Sequence, residues 1–301
     1  MLWWAQAIKP SNPQDDAKIL FSIEKGETAR SIASRLQKQG LLRSPVAFFM
    51  LARFGKLDNQ LQAGDFRLSP SMNLFEVAES LTHGTQDIWL VIPEGWRNEE
   101  IALKITQEMS IPEAEFLKYS RQGYMFPDTY LLPSEADASV IAKAFLDNFE
   151  KKVTPDIIQK AQDKGLSLDE VITIASMVER EAKFDQDRPL VASVILNRLK
   201  IGMKLDIDAT VQYALGYQSD QKSWWKKNLT YEDLQIDSPF NTYKFSAFPP
   251  SPICNPGLAT IMAVIQAPDS EYLYYLSEPD GTTHFSANYE EHNSNIEKYL
   301  N

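Results

Sequence analysis

The segment 187–200 restricts the possible folds of this sequence more than any other. Val191, Val194, Ile195 and Arg198 fall at i, i+3, i+4 and i+7, while Ala192, Leu196 and Leu199 cover the opposite side. A helix that is apolar nearly all round is buried, so other elements must enclose it. The helical segment before it, roughly 168–182, carries the stripe Val171, Ile174, Ala175, Val178 and Ala182. With 301 residues the chain has room for one large domain or two ordinary ones around such helices. Arg198 sits within an apolar stripe and therefore needs a carboxylate or carbonyl partner; a structural ion pair explains it more simply than substrate contact.

The remaining pattern is mixed. Residues 18–24 read as a strand, Thr28 caps a helix over 29–39 that Gly40 ends, and Pro45 opens another helix. Residues 64–68 form a short strand and 71–81 a helix, giving a small α+β unit over 18–85 with His83-Gly84-Thr85-Gln86 as its outgoing link. A larger unit, 86–301, starts with an apolar strand at 88–92 and helices near 98–109 and 112–121. An aromatic turn-rich stretch follows at 123–130, then a helix over 137–163 interrupted near Thr154-Pro155. Residues 236–257 are loop-like, with Pro239, Pro249, Pro250, Pro252 and Pro256. A helix at 257–266, an apolar strand at 272–276, the turn Pro279-Asp280-Gly281 and a closing helix end the chain. The start, residues 1–17, is uncharged and aromatic through Ile8, and too short for a bilayer, which takes about 20 residues. It reads either as a loose terminus or as the exit end of a trimmed membrane anchor, since Trp prefers the interface.

Composition removes several kinds of chemistry. The chain has 30 Lys and Arg against 41 Asp and Glu, a net charge of −11, and no dense basic run, so nucleic acid is not an expected partner. Cys254 is the single cysteine, which forbids an intramolecular disulfide. The three histidines, His83, His284 and His292, are too scattered for a metal site, and no HExxH, Walker, GxSxG or GxGxxG motif occurs. No metal or cofactor is expected. Carboxylate chemistry remains.

Two carboxylates end the first strong helix. Glu179 and Glu181 point roughly 200° apart, so they cannot act as a pair on one face. Glu179 has Lys183 at i+4, which a solvated surface pair explains. Glu181 has Met177 and Val178 behind it, Phe184 and Asp185 ahead, and no cation one turn away. An apolar flank and a nearby carboxylate both raise a carboxyl pKa, the condition for a general acid, although an ordinary helix-end glutamate fits the same pattern. Asp208 stands where it can cap a helix carrying Thr210 and Tyr213. Asn241-Thr242-Tyr243 offers the amide, hydroxyl and phenol groups that bind sugars, or a merely solvated loop. Trp224-Trp225 suits sugar stacking, but Lys226-Lys227 beside them equally fits an exposed insertion.

In order along the chain, 175–182 (Ala-Ser-Met-Val-Glu-Arg-Glu-Ala), Asn197-Arg198-Leu199, 208–213, Ser238-Pro239-Phe240-Asn241-Thr242-Tyr243, 249–253 and Asn255-Pro256-Gly257 resemble the YceG-like family, the MltG-type endolytic murein transglycosylases of bacteria. The likeness runs from about residue 18 to the end. It implies a LysM-like subdomain, to whose opening residues 21–28 are similar, followed by a catalytic domain with a lysozyme-like helical core. It further implies a periplasmic body on a single inner-membrane anchor, of which residues 1–17 are the remnant. By this resemblance Glu181 is the catalytic acid. Arg198, Asp208, Thr210, Asn241 and Tyr243 orient the sugar or the acid, with Glu179, Asn197, Tyr213 and Thr242 in supporting positions. Ala182 replaces the family's hydroxyl residue beside the acid, and Ser251 stands where a glycine is usual. The implied reaction cuts the β-1,4 bond between N-acetylmuramic acid and N-acetylglucosamine within nascent glycan strands. It leaves 1,6-anhydro ends and limits strand length, with peptidoglycan synthases as partners. The rival readings are a muramidase using Asp206 or Asp208 as second carboxylate, and a non-catalytic wall-binding scaffold.

Overall fold

Period-two and period-3.6 apolar patterns alternate along the chain, and each of its two units, Met1–Asp87 and Ile88–Asn301, closes around its own core. The computed structural model describes residues 2–55, 57, 60–83 and 87–300. The fold class is α+β, as the patterns lead one to expect.

The first unit contains α1 (Leu2–Ala7), β1 (Ile19–Ile23), α2 (Ala29–Lys38), α3 (Pro45–Phe54), β2 (Gly64–Leu68) and α4 (Leu74–His83). Strands β1 and β2 pair antiparallel with Phe21 opposite Phe66, so alternation puts Phe21, Ile23, Phe66 and Leu68 on one buried face. Ile32, Leu36 and Phe48 belong to the same core. Thr28 Oγ1 accepts from Ser31 N at 3.3 Å and starts α2. Of the two readings of residues 1–17, the loose terminus does not hold over residues 4–8: Ala7 is buried in this core, and Trp4 and Ile8 pack against it. Apolar side chains this close to a core lose more by staying in water than the terminus loses by ordering. Of the expected link, Gly84, Thr85 and Gln86 lie outside the described residues. Among the described residues no helix is long and apolar enough to cross a membrane.

The second unit contains, in order, β3 (Asp87–Val91), α5 (Asn98–Met109), α6 (Glu113–Tyr119), β4 (Thr129–Pro133), α7 (Ala138–Lys152), α8 (Pro155–Asp163) and α9 (Leu168–Glu181). These are followed by α10 (Arg188–Lys200), α11 (Asp208–Leu215), α12 (Leu258–Ile265), β5 (Tyr274–Ser277), β6 (Thr283–Ser286) and α13 (Tyr289–Tyr299). Ser167 starts α9 with a capping box: its Oγ accepts from Glu170 N, and Glu170 Oε2 accepts from Ser167 N at 2.7 Å. Residues 171–178 of α9 are all buried, because α8, α10, α11 and α12 pack around the helix. Two strands escape the sequence reading. β4, which pairs with β3, starts at the end of the stretch read only as aromatic turns and runs three residues beyond it, and β6, which pairs antiparallel with β5, lies between the turn and the closing helix. At four and five residues, both are too short for an alternating pattern to declare itself.

The proline-rich loop is not a solvated connection. Pro252, Ile253, Cys254, Asn255, Pro256 and Gly257 are buried, so the polar backbone there needs partners inside the protein. Asn255 supplies several: Oδ1 accepts from Gly123 N and Met125 N, both at 2.9 Å, and Nδ2 donates to Trp96 O and Asn98 Oδ1. Ser176 Oγ, from α9, accepts from Ile253 N at 3.0 Å. This close approach requires Gly123, which has φ 90° and where a Cβ would lie 2.5 Å from Pro252 Cγ and 2.8 Å from Ile172 Cγ2. Gly123→Ala is therefore expected to lower unfolding free energy by about 3 kcal/mol in urea titrations, through left-handed strain plus overpacking. A loss under about 0.5 kcal/mol, the ordinary scale of a surface change, would mean that the loop yields freely.

Candidate active site

The two carboxylates at the end of α9 leave the helix in opposite directions and meet different surroundings. Glu179 is not the surface partner of Lys183 that its spacing suggests. Its side chain is 6% exposed; Oε1 accepts from Arg188 Nη2 at 3.1 Å, and Oε2 accepts from Gly257 N at 3.0 Å and Thr260 Oγ1 at 2.6 Å. Lys183 donates instead to Asp280 O. The i+4 rule fails here because α10 and α12 cover that side of α9, which no local pattern records. Glu179 thus ties α9 to both neighbours.

Glu181 sits in a cleft of about 540 Å³, lined by residues from α9, α10, α11, β5, α13 and the loops before and after α11. Its pKa is raised. Burial is the largest cause; the Tyr275 hydroxyl, which donates to Oε2 at 2.9 Å, lowers it, and the negative charge of Asp208 raises it. The carboxylate expected to act on it, Asp185, is 83% exposed and pairs with Arg188. The raising neighbour comes from α11, 27 positions along the chain, and not from the next turn. Tyr275, half-buried and with its phenol pushed well up by desolvation and by Glu181, is the residue that sequence reading missed; the apolar run 272–276 conceals which tyrosine faces Glu181.

Arg198 is buried at the cleft wall and finds the carbonyl partners its stripe position demands. Nε donates to Leu273 O at 2.6 Å and Nη1 to Leu205 O at 2.6 Å, with Asp206 Oδ2 3.7 Å away. Asp208 does not cap α11. It is the first helical residue, and its Oδ1 accepts from the Tyr243 hydroxyl at 2.6 Å, with Asp208 and Tyr243 both facing the cleft. Burial, then Asp208, pushes the Tyr243 phenol up.

Four of the other named residues hold the scaffold from inside. Thr210 and Thr242 pair through their hydroxyls at 2.9 Å, and Thr242 Oγ1 accepts from Ile207 N. Asn241 Nδ2 donates to Leu234 O and Ile236 O, and Asn197 Nδ2 to Ser270 O and Tyr272 O. Tyr213 stacks under Arg97, whose guanidinium lies 4.2 Å from its ring centroid. Trp224 and Trp225 are not an exposed insertion: Trp225 is 9% exposed, donates to Glu100 and lies under Arg180, while Trp224 lies under Arg97. Among the described residues no cluster of three or more His, Cys, Asp or Glu is placed to hold a metal ion.

Glu179→Gln keeps shape but leaves Arg188, 10% exposed, without its closest counter-charge. It is expected to cost about 3 kcal/mol in denaturant unfolding, the scale of a broken buried pair. A cost below about 1 kcal/mol would return it to the class of exposed pairs.

Comparison with known proteins agrees with this architecture. The endolytic murein transglycosylase of Bacillus subtilis (strain 168) is 29% identical, across 99% of this chain and 89% of its own length. The endolytic murein transglycosylase of Streptococcus pneumoniae serotype 2 is 26% identical across 98% of this chain, which spans 61% of that relative's length. A crystal structure of a YceG-like protein from Listeria monocytogenes matches with a TM-score of 0.62 at 28% identity, covering 93% of this chain and 99% of that one. The YceG-like family pattern itself matches residues 21–298, and the chain belongs to the YceG-like family.

Proposed function

We propose that this protein is an endolytic lytic transglycosylase of peptidoglycan, with Glu181 as its one acid–base group. The observation that carries the reading is a carboxyl of raised pKa that faces the cleft and accepts a hydrogen bond from a neutral phenol. The names of its relatives in Bacillus subtilis and Streptococcus pneumoniae support it.

Protonated Glu181 donates to the glycosidic oxygen between N-acetylmuramic acid and N-acetylglucosamine. The carboxylate so formed takes the proton of the muramic 6-hydroxyl, whose oxygen closes on C1 as a 1,6-anhydro ring. One proton leaves Glu181 and one returns, water is not consumed, and no carboxylate nucleophile is needed. Asp208 and Tyr243 orient the sugar at the cleft wall, and Arg198 holds the wall itself through Leu273 and Leu205. Glu179, Asn197, Thr210, Tyr213, Asn241 and Thr242 serve by keeping the elements in place. Cutting within nascent strands limits their length and brings the enzyme to peptidoglycan synthases. An amino-terminal inner-membrane anchor holds the body in the periplasm. The Met1–Asp87 unit, with its strand–turn–helix opening, is LysM-like and holds glycan without joining the chemical step.

One geometric fact favours a second reading: Asp208 lies close enough to raise the Glu181 pKa, as the second carboxylate of a water-using muramidase could. Digestion of purified sacculi followed by mass spectrometry separates the two, since anhydro ends weigh one water less than reducing ends. Anhydro ends are expected; reducing ends would establish the muramidase. Glu181→Gln is expected to lose at least about 1,000-fold in kcat, the larger part of the general acid–base range. Retained cleavage by that variant would remove Glu181 from the chemistry. The acid must be protonated, so kcat/KM falls as pH rises through the Glu181 pKa. Tyr275→Phe deletes a hydrogen bond that stabilises the carboxylate, and the alkaline limb is expected to move to higher pH. A limb that stays or moves down would show that the phenol does not tune the acid.

A further inference from the structure

The cleft extends beyond the acid to a group of rings the chemistry does not use. Tyr274, Tyr289 and His292 line it together with Glu181 and Arg198. The Tyr274 ring lies against the His292 imidazole, with centroids 5.2 Å apart and planes 24° from parallel. Tyr289 meets Tyr274 at 6.0 Å and 55°, and the Arg198 guanidinium sits 5.1 Å from the Tyr274 ring. Two phenols inclined in this way form an open notch. Tyr289 is 63% exposed although it stands in a cleft wall, so its ring is open to a ligand in the cleft. The imidazole is a flat neutral surface, since burial and Arg198 both lower its pKa. Asp206, also in the cleft wall and 39% exposed, supplies acceptors beside the rings.

We infer that Tyr274, Tyr289 and His292 form a saccharide subsite, in which the apolar face of an N-acetylhexosamine ring outside the cleaved bond stacks on the phenols. The inference rests on the transglycosylase reading for its ligand. A pyranose presents C–H groups on its faces and hydroxyls at its rim. Flat aromatic rings with polar groups beside them match that division. The subsite would make cleavage depend on glycan length, because only strands reaching the notch gain its contact.

Tyr289 is the residue to change: it is the first residue of α13 and mostly exposed, and the Asn288 side chain that caps the helix stays in place. Binding of N-acetylglucosamine hexasaccharide and disaccharide to full-length Glu181→Gln is to be measured by calorimetry, with and without Tyr289→Ala. Kinetics on uncrosslinked strands of defined length are run on Tyr289→Ala alone. Tyr289→Ala is expected to weaken hexasaccharide binding about tenfold and to raise KM on long strands by a similar factor, while kcat changes far less. Tyr289→Phe, which keeps the ring, should restore both. Equal hexasaccharide affinity with and without Tyr289, or a loss that phenylalanine does not restore, overturns the subsite. The reaction reading fails separately: no anhydro ends from the parent protein, with hexasaccharide binding still dependent on the Tyr289 ring, would leave the subsite standing.

Discussion

A helix whose residues 171–178 are all buried has no solvent face left to accommodate error. α9 is held on its sides by α8, α10, α11 and α12, and the loop 251–257 is stitched to it through Ser176. Its rotation about its own axis is therefore fixed by close packing, where a shift of even one methylene is felt. That rotation decides where the carboxylates at its end emerge. With roughly 200° between them, one must enter the interface with α10 and α12 if the other is to face the cleft.

The two glutamates show how surroundings divide one side-chain type into two tasks. Glu179 meets a guanidinium, a backbone N–H and a hydroxyl, every one a donor to a charged carboxylate. Glu181 has the Tyr275 phenol, the Ala209 backbone N–H and the charge of Arg180 on the side of the carboxylate, but burial, with the field of Asp208 added to it, outweighs them and favours the neutral acid. The first arrangement fixes the helix that aims the second. Tyr275 arrives from β5 and Asp208 from α11, so the acid's environment is assembled from segments up to 94 positions away.

Local signals in the sequence carried most of the elements and little of this assembly. Helix boundaries near 98–109, 168–182 and 187–200 follow from periodicity, and the break at Thr154-Pro155 follows from proline; all recur as α5, α9, α10 and the α7–α8 junction. The apolar flank carries half of the reason for the raised Glu181 pKa: desolvation is its largest cause, whereas the neighbouring carboxylate is Asp208 and not Asp185. Glu179 was misread because an i+4 lysine says nothing about which helix covers that face. Asn241 and Thr242 look like sugar-binding groups by inventory, and Thr210 is given such a role by the family resemblance, yet they spend their hydrogen bonds on backbone and on one another. A polar side chain in a loop reveals its chemistry but not whether the chain buries it. The proline-rich loop made the same point in reverse, since it is closed inside the protein around Asn255.

The raised pKa of Glu181 carries a cost in stability. Between the ordinary glutamate value of 4.5 and its higher folded value, the folded protein keeps a proton that the unfolded chain has released. The folded state then binds more protons than the unfolded state, so the stability contributed by this group falls as pH rises through that interval. A cation in place of Tyr275 would remove the penalty by favouring the carboxylate, and with it the proton that the proposed reaction requires. A phenol is the compromise: it orients one oxygen and limits the charge penalty without adding a positive charge. The destabilised acid persists because its position depends on a helix locked elsewhere, through Glu179, Ser176 and the packed core. The contacts that hold Glu181 in place are thus largely separate from those that set its proton affinity.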